Sequence, residues 1–353
     1  MSSLEHIFTE WIRSLWLLVR IILGALVICY ATGLTCYLVL RLLFGDRFWW
    51  LALLNAFVLY IFLPLFIVLP VTLVLRQRWL LGVIASLAVV GGLWFGPYFA
   101  PKTVHAASGT TLHVITFNAW PSNPRLNDVA DWLRQQNADV VLLQDSPQTY
   151  LRNGLPELLD IYPYQFVPRQ NNDGIILSRH PFVTTANLGG MPTQERVVIN
   201  FNGQAVAIYN IHLKQPFRGQ PRVIKVANVS PFLKMALRYE NDDNVRDTEI
   251  KRLIANLVNE RLPFIVAGDF NMSDQSPVYG DLSAQMVDSF RETGVGLGTS
   301  WPAGGEAGWP AFVPPLIRID YLWHSAAFRA INVQQGPKLG SDHVPLHALL
   351  ELP

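Results

Sequence analysis

The stretch Pro263-Phe-Ile-Val-Ala-Gly-Asp269-Phe-Asn271 decides the reading of this chain. An apolar strand ends there in Gly-Asp-Phe-Asn, which offers one carboxylate and one amide two residues apart. Residues i and i+2 of a strand face the same side, so Asp269 and Asn271 point into one pocket. Outward from this point the pattern recurs. His113-Val-Ile-Thr-Phe closes on Asn118, Asp139-Val-Val-Leu-Leu-Gln is followed by Asp145, and Ala205-Val-Ala-Ile-Tyr-Asn-Ile closes on His212. Downstream, Asp320 sits in Arg318-Ile-Asp-Tyr-Leu, and Gly340-Ser-Asp342-His343-Val-Pro-Leu precedes the last strand. A lone Asp or Asn after a strand is most often a turn former, and a lone His in an apolar strand is usually a satisfied core residue. Repetition at several strand ends points instead to an enzyme.

Between these points, short runs rich in Val, Ile and Phe alternate with helical stretches. His113–Phe117, Ala138–Leu143, Gly174–Ser178, Val197–Asn200, Ala205–Ile211, Phe264–Ala267, Arg318–Trp323 and Val344–Leu350 read as strands. Asp128–Gln136 and Arg246–Asn259 have helical spacing. Arg218–Tyr239 mixes Arg and Lys with apolar residues and reads either as an amphipathic segment lying on lipid or as a loop with a covering helix. Gly294–Pro315, rich in Gly, Pro and Trp, reads as a long functional loop.

The first hundred residues are of another kind. Three apolar runs, about 14–43, 48–75 and 79–99, each reach the roughly 20 residues that cross a bilayer core. Trp11, Trp16, Trp49, Trp50, Trp79, Trp94 and Tyr98 lie near the run ends, as interfacial aromatics do. A secretory signal is the rival, but its apolar region is only about 7–15 residues long and stands alone. Three transmembrane helices in residues 1–99, a linker over 100–111 and a large domain over 112–353 are expected. The positive-inside rule nearly ties, and Arg20, able to snorkel towards the N-terminal side, tips the orientation to a cytoplasmic N-terminus. The domain is then extracytoplasmic, on a multi-pass plasma-membrane protein. Both cysteines, Cys29 and Cys36, lie in the first span.

The chain holds 27 Lys/Arg and 26 Asp/Glu, and residues 1–100 take six and three of them, which leaves the large domain slightly acidic. Tight non-specific nucleic-acid binding rests on many Lys/Arg–phosphate contacts, so the simplest electrostatic case for a nuclease is missing.

Hydrolysis of a phosphate ester needs a hard cation against the non-bridging oxygens, a base for water and an acid for the leaving oxygen. Mg²⁺ prefers oxygen ligands and takes one or two protein carboxylates plus water. Asp145 is a natural ligand, and Asn118 adds an amide oxygen or orients metal-bound water. Asp320 accepts from a histidine nitrogen and fixes its tautomer, or else forms a strand-edge salt bridge with Arg318.

In this order the segments resemble the endonuclease/exonuclease/phosphatase superfamily, the fold of pancreatic deoxyribonuclease and neutral sphingomyelinases. The carriers are Thr116-Phe-Asn118, Leu143-Gln-Asp145, Ile176-Leu-Ser-Arg179, Asn210-Ile-His-Leu213, Gly268-Asp-Phe-Asn271, Arg318-Ile-Asp-Tyr321 and Gly340-Ser-Asp-His343, spread over about Leu112–Leu352. The resemblance implies that Asn118, Asp145 and Asp342 serve a divalent metal, Mg²⁺ or Mn²⁺. It implies that Asp269 activates or positions the water and Asn271 orients the phosphate. His343, held by Asp320, contacts the phosphate or acts as base, and His212 stands near the leaving oxygen. Asp173 is implied as a partner for His212, and Arg196 and Asn210 as substrate-side residues. One departure is plain: the family has Glu after Leu-Gln, whereas this chain has Asp145, so the carboxylate either binds the metal directly from a closer strand or reaches it through water.

The expected fold is an α/β four-layer sandwich, two packed, largely antiparallel mixed sheets flanked by helices, after three transmembrane helices. The expected function is a membrane-anchored, metal-dependent phosphoesterase acting on a lipid-linked phosphate mono- or diester at the bilayer. The alternatives are an extracytoplasmic nuclease on DNA or RNA and an inactive binding or scaffold protein.

Overall fold

The apolar first third of the chain becomes helix almost throughout. Helix α1 runs over Ser2–Phe44, α2 over Trp49–Ala56, α3 over Val58–Phe62, α4 over Leu65–Leu75 and α5 over Arg78–Phe99. Three stretches, His6–Phe44, Val58–Leu75 and Arg78–Phe99, are long and apolar enough to cross a membrane. The second run is not one helix. It breaks at Phe57 and again at Pro64, where proline has no N–H to donate and its ring crowds the preceding turn. Several polar groups among these helices find partners within them. Tyr37 donates to Asn55 Oδ1 at 2.8 Å, and Asn55 donates to the Gly45 carbonyl at 3.0 Å. Arg20 Nη2 donates to the Leu75 carbonyl at 3.1 Å, at the end of α4 where carbonyls lack helical partners.

This computed structural model describes residues 2–103, 106–168, 173–187, 194–215, 243–306 and 308–352; the segment Arg218–Tyr239 lies outside them. The chain forms two compact units, Met1–Pro97 and Tyr98–Pro353.

The second unit is built on two six-stranded sheets. The first holds β1 (Thr110–Asn118), β2 (Val140–Gln144), β3 (Tyr164–Phe166), β4 (Ile175–Ser178), β11 (Arg329–Gln335) and β12 (Leu346–Leu352), in the order β11-β12-β1-β2-β4-β3. The second holds β5 (Phe182–Asn187), β6 (Gln194–Phe201), β7 (Gln204–His212), β8 (Phe264–Asp269), β9 (Val287–Asp288) and β10 (Asp320–His324), in the order β5-β6-β7-β8-β10-β9. Each sheet has a single parallel pair at its centre, β1 with β2 and β7 with β8, and is antiparallel elsewhere. Period-2 alternation sorts the side chains into layers. Leu112, Val114, Val140, Leu142, Ile208 and Ile265 fill the space between the sheets. Ile115, Phe117, Val141 and Leu143 face outward onto α6 (Leu126–Gln136), which returns Val129, Trp132 and Leu133 at helical spacing. Tyr209, Val266 and Trp323 face outward onto α7 (Asp243–Val258), through Ile250, Leu253 and Leu257. Four layers result.

The expected strands are all present, although the last begins at Leu346 rather than Val344. Pro345 cannot donate to a ladder, and the Ser-Asp-His turn precedes it. Strands β3, β5, β9 and β11 carry no strong apolar alternation in the sequence and are fixed by their neighbours.

Candidate active site

Along the inner face of each central strand, apolar side chains give way to polar ones at the same end. Strand β1 reads Leu112, Val114, Thr116, Asn118; β7 reads Val206, Ile208, Asn210, His212; β8 reads Ile265, Ala267, Asp269. The parallel pairing of β1 with β2 and of β7 with β8 brings four such ends together, in register at Asn118 and Gln144 and at His212 and Asp269. Antiparallel β10 starts at this edge, with Asp320 directly opposite Asp269. The strand order thus turns dispersed residues into one cluster.

Asp269 is its centre and is 1 % exposed. Oδ2 accepts from Asn118 Nδ2 at 3.0 Å and from Asn271 Nδ2 at 3.2 Å, and Oδ1 accepts from the Asn271 backbone N–H at 2.8 Å. His212 Nε2 and His343 Nε2 stand 3.8 and 3.7 Å from Oδ2. Each histidine is held from its other nitrogen, His212 Nδ1 by Asp173 at 2.8 Å and His343 Nδ1 by Asp320 at 2.9 Å. The Gly-Asp-Phe-Asn sequence is now explicable. Gly268, at φ +148°, lies so close to the Ile211 carbonyl of β7 that no Cβ fits, and Asn271 takes the left-handed conformation (φ +49°) that Asn tolerates best. In Gly-Ser-Asp-His, the Ser341 hydroxyl donates to the Asn118 carbonyl at 2.7 Å and accepts from the His343 N–H at 3.1 Å, which pins the turn to β1.

Asp145, also left-handed at φ +48°, lies with Asp173 and His212 in a group whose ligand atoms are within 4.8 Å of one another. Burial holds the Asp145 carboxyl above its usual range, the nearby charges of Asp173 and Asp342 add to this, and His212 and His343 oppose it. Burial alone would lower the pKa of His212, but the hydrogen bond and charge of Asp173, with Asp269 and Asp145, raise it to about 9. His343, likewise buried, is raised to about 10 by Asp320 and Asp269. Burial raises Asp269 too, with Asp320 adding to it and the histidines opposing. Among the described residues, buried Asp173 Oδ1 and Asp320 Oδ1 have no hydrogen-bond partner. The carboxylates of Asp145, Asp173, Asp269, Asp320 and Asp342 outnumber the two imidazoliums, and their oxygen donors fit a hard divalent cation.

Two expected residues fall elsewhere. Arg196 is corrected: on β6 it shares the outward face with Val198, and its guanidinium pairs with Glu260 at 2.7 Å and with the Tyr209 hydroxyl at 3.2 Å, away from the cluster. Its neighbour Glu195 shares the inner face with Val197 and Ile199 and is 1 % exposed, and the same alternation in the sequence was the signal for it. Gly174 sits beneath it, where a Cβ would collide with the carboxylate of Glu195 and the amide of Asn210. Asn210, fully buried, accepts from Gln144 Nε2 at 2.7 Å and donates to the Leu143 carbonyl at 3.0 Å, so it clamps the two sheets beneath the cluster. Asp320 accepts nothing from Arg318, which pairs with Asp288 instead. Trp301 was not expected at the site, yet its Nε1–H donates to Asp342 Oδ2 at 2.9 Å.

The model of the Endonuclease/Exonuclease/phosphatase family matches residues 115–343. An endonuclease/exonuclease/phosphatase from Bacteroides vulgatus is similar in structure at 18% identity and TM-score 0.51, over 69% of this chain and 100% of that one. A functionally unknown conserved protein from Enterococcus faecalis has 13% identity and TM-score 0.51, over 69% and 100%. Truncated Caenorhabditis elegans TDP2 has 14% identity and TM-score 0.50, over 68% and 98%. At such identities these likenesses establish the fold. No curated protein matches the chain. The family match spans most of the second unit and runs through every segment that builds the cluster, and the chain belongs to the endonuclease/exonuclease/phosphatase family of phosphoester hydrolases.

Proposed function

We propose that this chain is a membrane-anchored, divalent-metal-dependent phosphoesterase that hydrolyses a lipid-linked phosphate ester outside the cytoplasm. One observation carries the chemistry: two His–Asp pairs converge on the buried carboxylate of Asp269, beside Asp145. A Mg²⁺ or Mn²⁺ held by Asp145, with Asn118 and Asp342 alongside, would supply the Lewis acidity that neutralises phosphate charge. Asp269, fixed by Asn118 and Asn271, takes the proton of the attacking water as its oxygen bonds to phosphorus. His343, kept cationic by Asp320, donates to a non-bridging oxygen. His212, kept cationic by Asp173, gives its proton to the leaving oxygen as the P–O bond breaks.

The lipid substrate is supported by the helices. Three are long and apolar enough to span a bilayer, and the ten residues 100–109 between α5 and β1 extend at most about 36 Å. A site tethered that closely meets membrane substrates at high effective concentration. The slightly acidic domain gives no comparable support for nucleic acid.

The test is phosphate or headgroup release from a panel of phospholipids, sphingolipids, polyprenyl phosphates, DNA and RNA, with metal and with Asp269→Ala as control. Cleavage of DNA or RNA with every lipid untouched would replace this reading with a nuclease. A folded protein inert on the whole panel would make it a binding protein. A reporter fused after Pro353 that is active only in the cytoplasm would reverse the orientation.

A further inference from the structure

We propose that the loop tip at residues 308–315 is a lipid-contacting surface that seats the candidate active site on the membrane holding its substrate; this rests on the lipid reading above. Residues 309–317, Trp-Pro-Ala-Phe-Val-Pro-Pro-Leu-Ile, carry no charge. Within them Phe312 is 86% exposed, whereas outside the apolar N-terminal helices the next most exposed large hydrophobic side chain among the described residues is Val258, at 59%. A single exposed apolar residue is ordinary. Here Ala311 is exposed and Trp309 and Pro310 are half-buried beside it, so an apolar surface runs from Trp309 to Phe312 and resumes at exposed Pro314 beyond buried Val313.

The tip is held out rather than loosely placed. Val313 is buried at 3% and its N–H donates to the Pro310 carbonyl at 3.0 Å, while Gly305 N–H donates to the Trp309 carbonyl at 3.0 Å. Gly304 lies against the Val313 carbonyl with no room for a Cβ. Proline fixes φ at positions 310, 314 and 315, so Phe312 cannot readily fold back onto the domain. At its root the loop is tied to the site, since Trp301 Nε1 and the Ala303 N–H both donate to Asp342, next to His343, at 2.9 and 2.6 Å. Lys338 flanks it, its ammonium donating to the Gly304 carbonyl, and Arg125 lies nearby, paired with Glu306 at 3.0 Å and Asp128 at 2.7 Å. Aromatic side chains flanked by Lys and Arg are favoured at the headgroup level of a bilayer. Lipid is the occupant to which the chain itself points, because it carries three helices able to cross a membrane.

The test uses the full chain in phosphatidylcholine–phosphatidylglycerol vesicles containing a long-chain lipid phosphate, with p-nitrophenyl and bis-p-nitrophenyl phosphate as soluble substrates. Phe312→Asp lowers turnover of the embedded substrate about tenfold, the scale of one buried Phe side chain, leaves the soluble rates unchanged, and Phe312→Trp restores turnover. Independently, Phe312→Cys in a Cys29→Ser/Cys36→Ser background is labelled with a fluorophore, which brominated lipids quench. Absence of quenching, cross-linking of position 312 to a second copy, or equal loss on soluble and embedded substrates overturns the proposal. Quenching without hydrolysis of any lipid ester leaves the surface standing and removes the lipid substrate instead.

Discussion

Asp320 and Asp269 stand directly opposite each other in the β8–β10 ladder, and His343 bridges them, 2.9 Å from Asp320 by Nδ1 and 3.7 Å from Asp269 by Nε2. Two carboxylates that are 2 % and 1 % exposed are tolerated side by side because an imidazolium lies between them.

Breaking that bridge should be visible in the imidazole itself. Asp320→Asn removes the largest of the charges that hold His343 cationic up to about 10. The expected outcome is a lower His343 pKa in histidine NMR titrations of the metal-free protein, with His212 little changed. An unmoved His343 would mean that Asp320 only positions backbone.

Asp269→Asn keeps size and most hydrogen bonds but leaves no base. Single-turnover hydrolysis of a soluble ester is expected to slow by at least about 10²-fold, with the thermal transition retained. A rate within threefold of wild type would transfer the base role elsewhere.

Chelation should abolish turnover, and Mg²⁺ or Mn²⁺ should restore it. Asp145→Glu is expected to keep this metal response. It carries a stability cost of about 1 kcal/mol, because position 145 is left-handed at φ +48° and Glu tolerates that region less well than Asp. Full activity in excess chelator would take the metal out of the mechanism.

Arg196→Ala separates the two faces of β6. Its guanidinium binds Glu260 on the outward side, so kcat should stay within about twofold while the lost charged hydrogen bonds lower stability by roughly 1–3 kcal/mol. A selective fall in kcat with unchanged stability would return Arg196 to the site.

Acid should loosen the first strand of the second unit. Glu351 accepts from the backbone N–H groups of Gly109 and Ser108 and from Arg329, and these bonds hold its carboxyl down to about 2 from an ordinary 4.5. A depressed folded pKa means that the stabilisation is full above about 4.5 and is lost as pH falls towards 2. Glu351→Gln is therefore expected to flatten the dependence of Tm on pH in that window. An identical slope in the variant would assign the acid sensitivity to other carboxylates.

Much of this was written in the order of residues. Long apolar runs require a nonpolar surrounding, and strands that end in Asn, Asp or His require a wet or charged edge, so the helices, the central strands and most of the cluster could be read from the chain alone. The edge strands β3, β5, β9 and β11 could not, because a strand that is short, or whose apolar alternation is interrupted as β11's is between Ala330 and Asn332, is specified by the partner that supplies its hydrogen bonds. Arg196 shows the limit most clearly. Its strand β6 pairs with β7, which carries His212, but a shift of one residue along a strand exchanges one sheet face for the other, and the inward residue is Glu195. Composition and alternation, which are local, determined which residues are buried and where each strand turns polar. Which polar ends meet, with His212 and His343 on one carboxylate and Trp301 on Asp342, was decided by strand order and by the packing of two sheets, since those contacts join residues far apart in the chain.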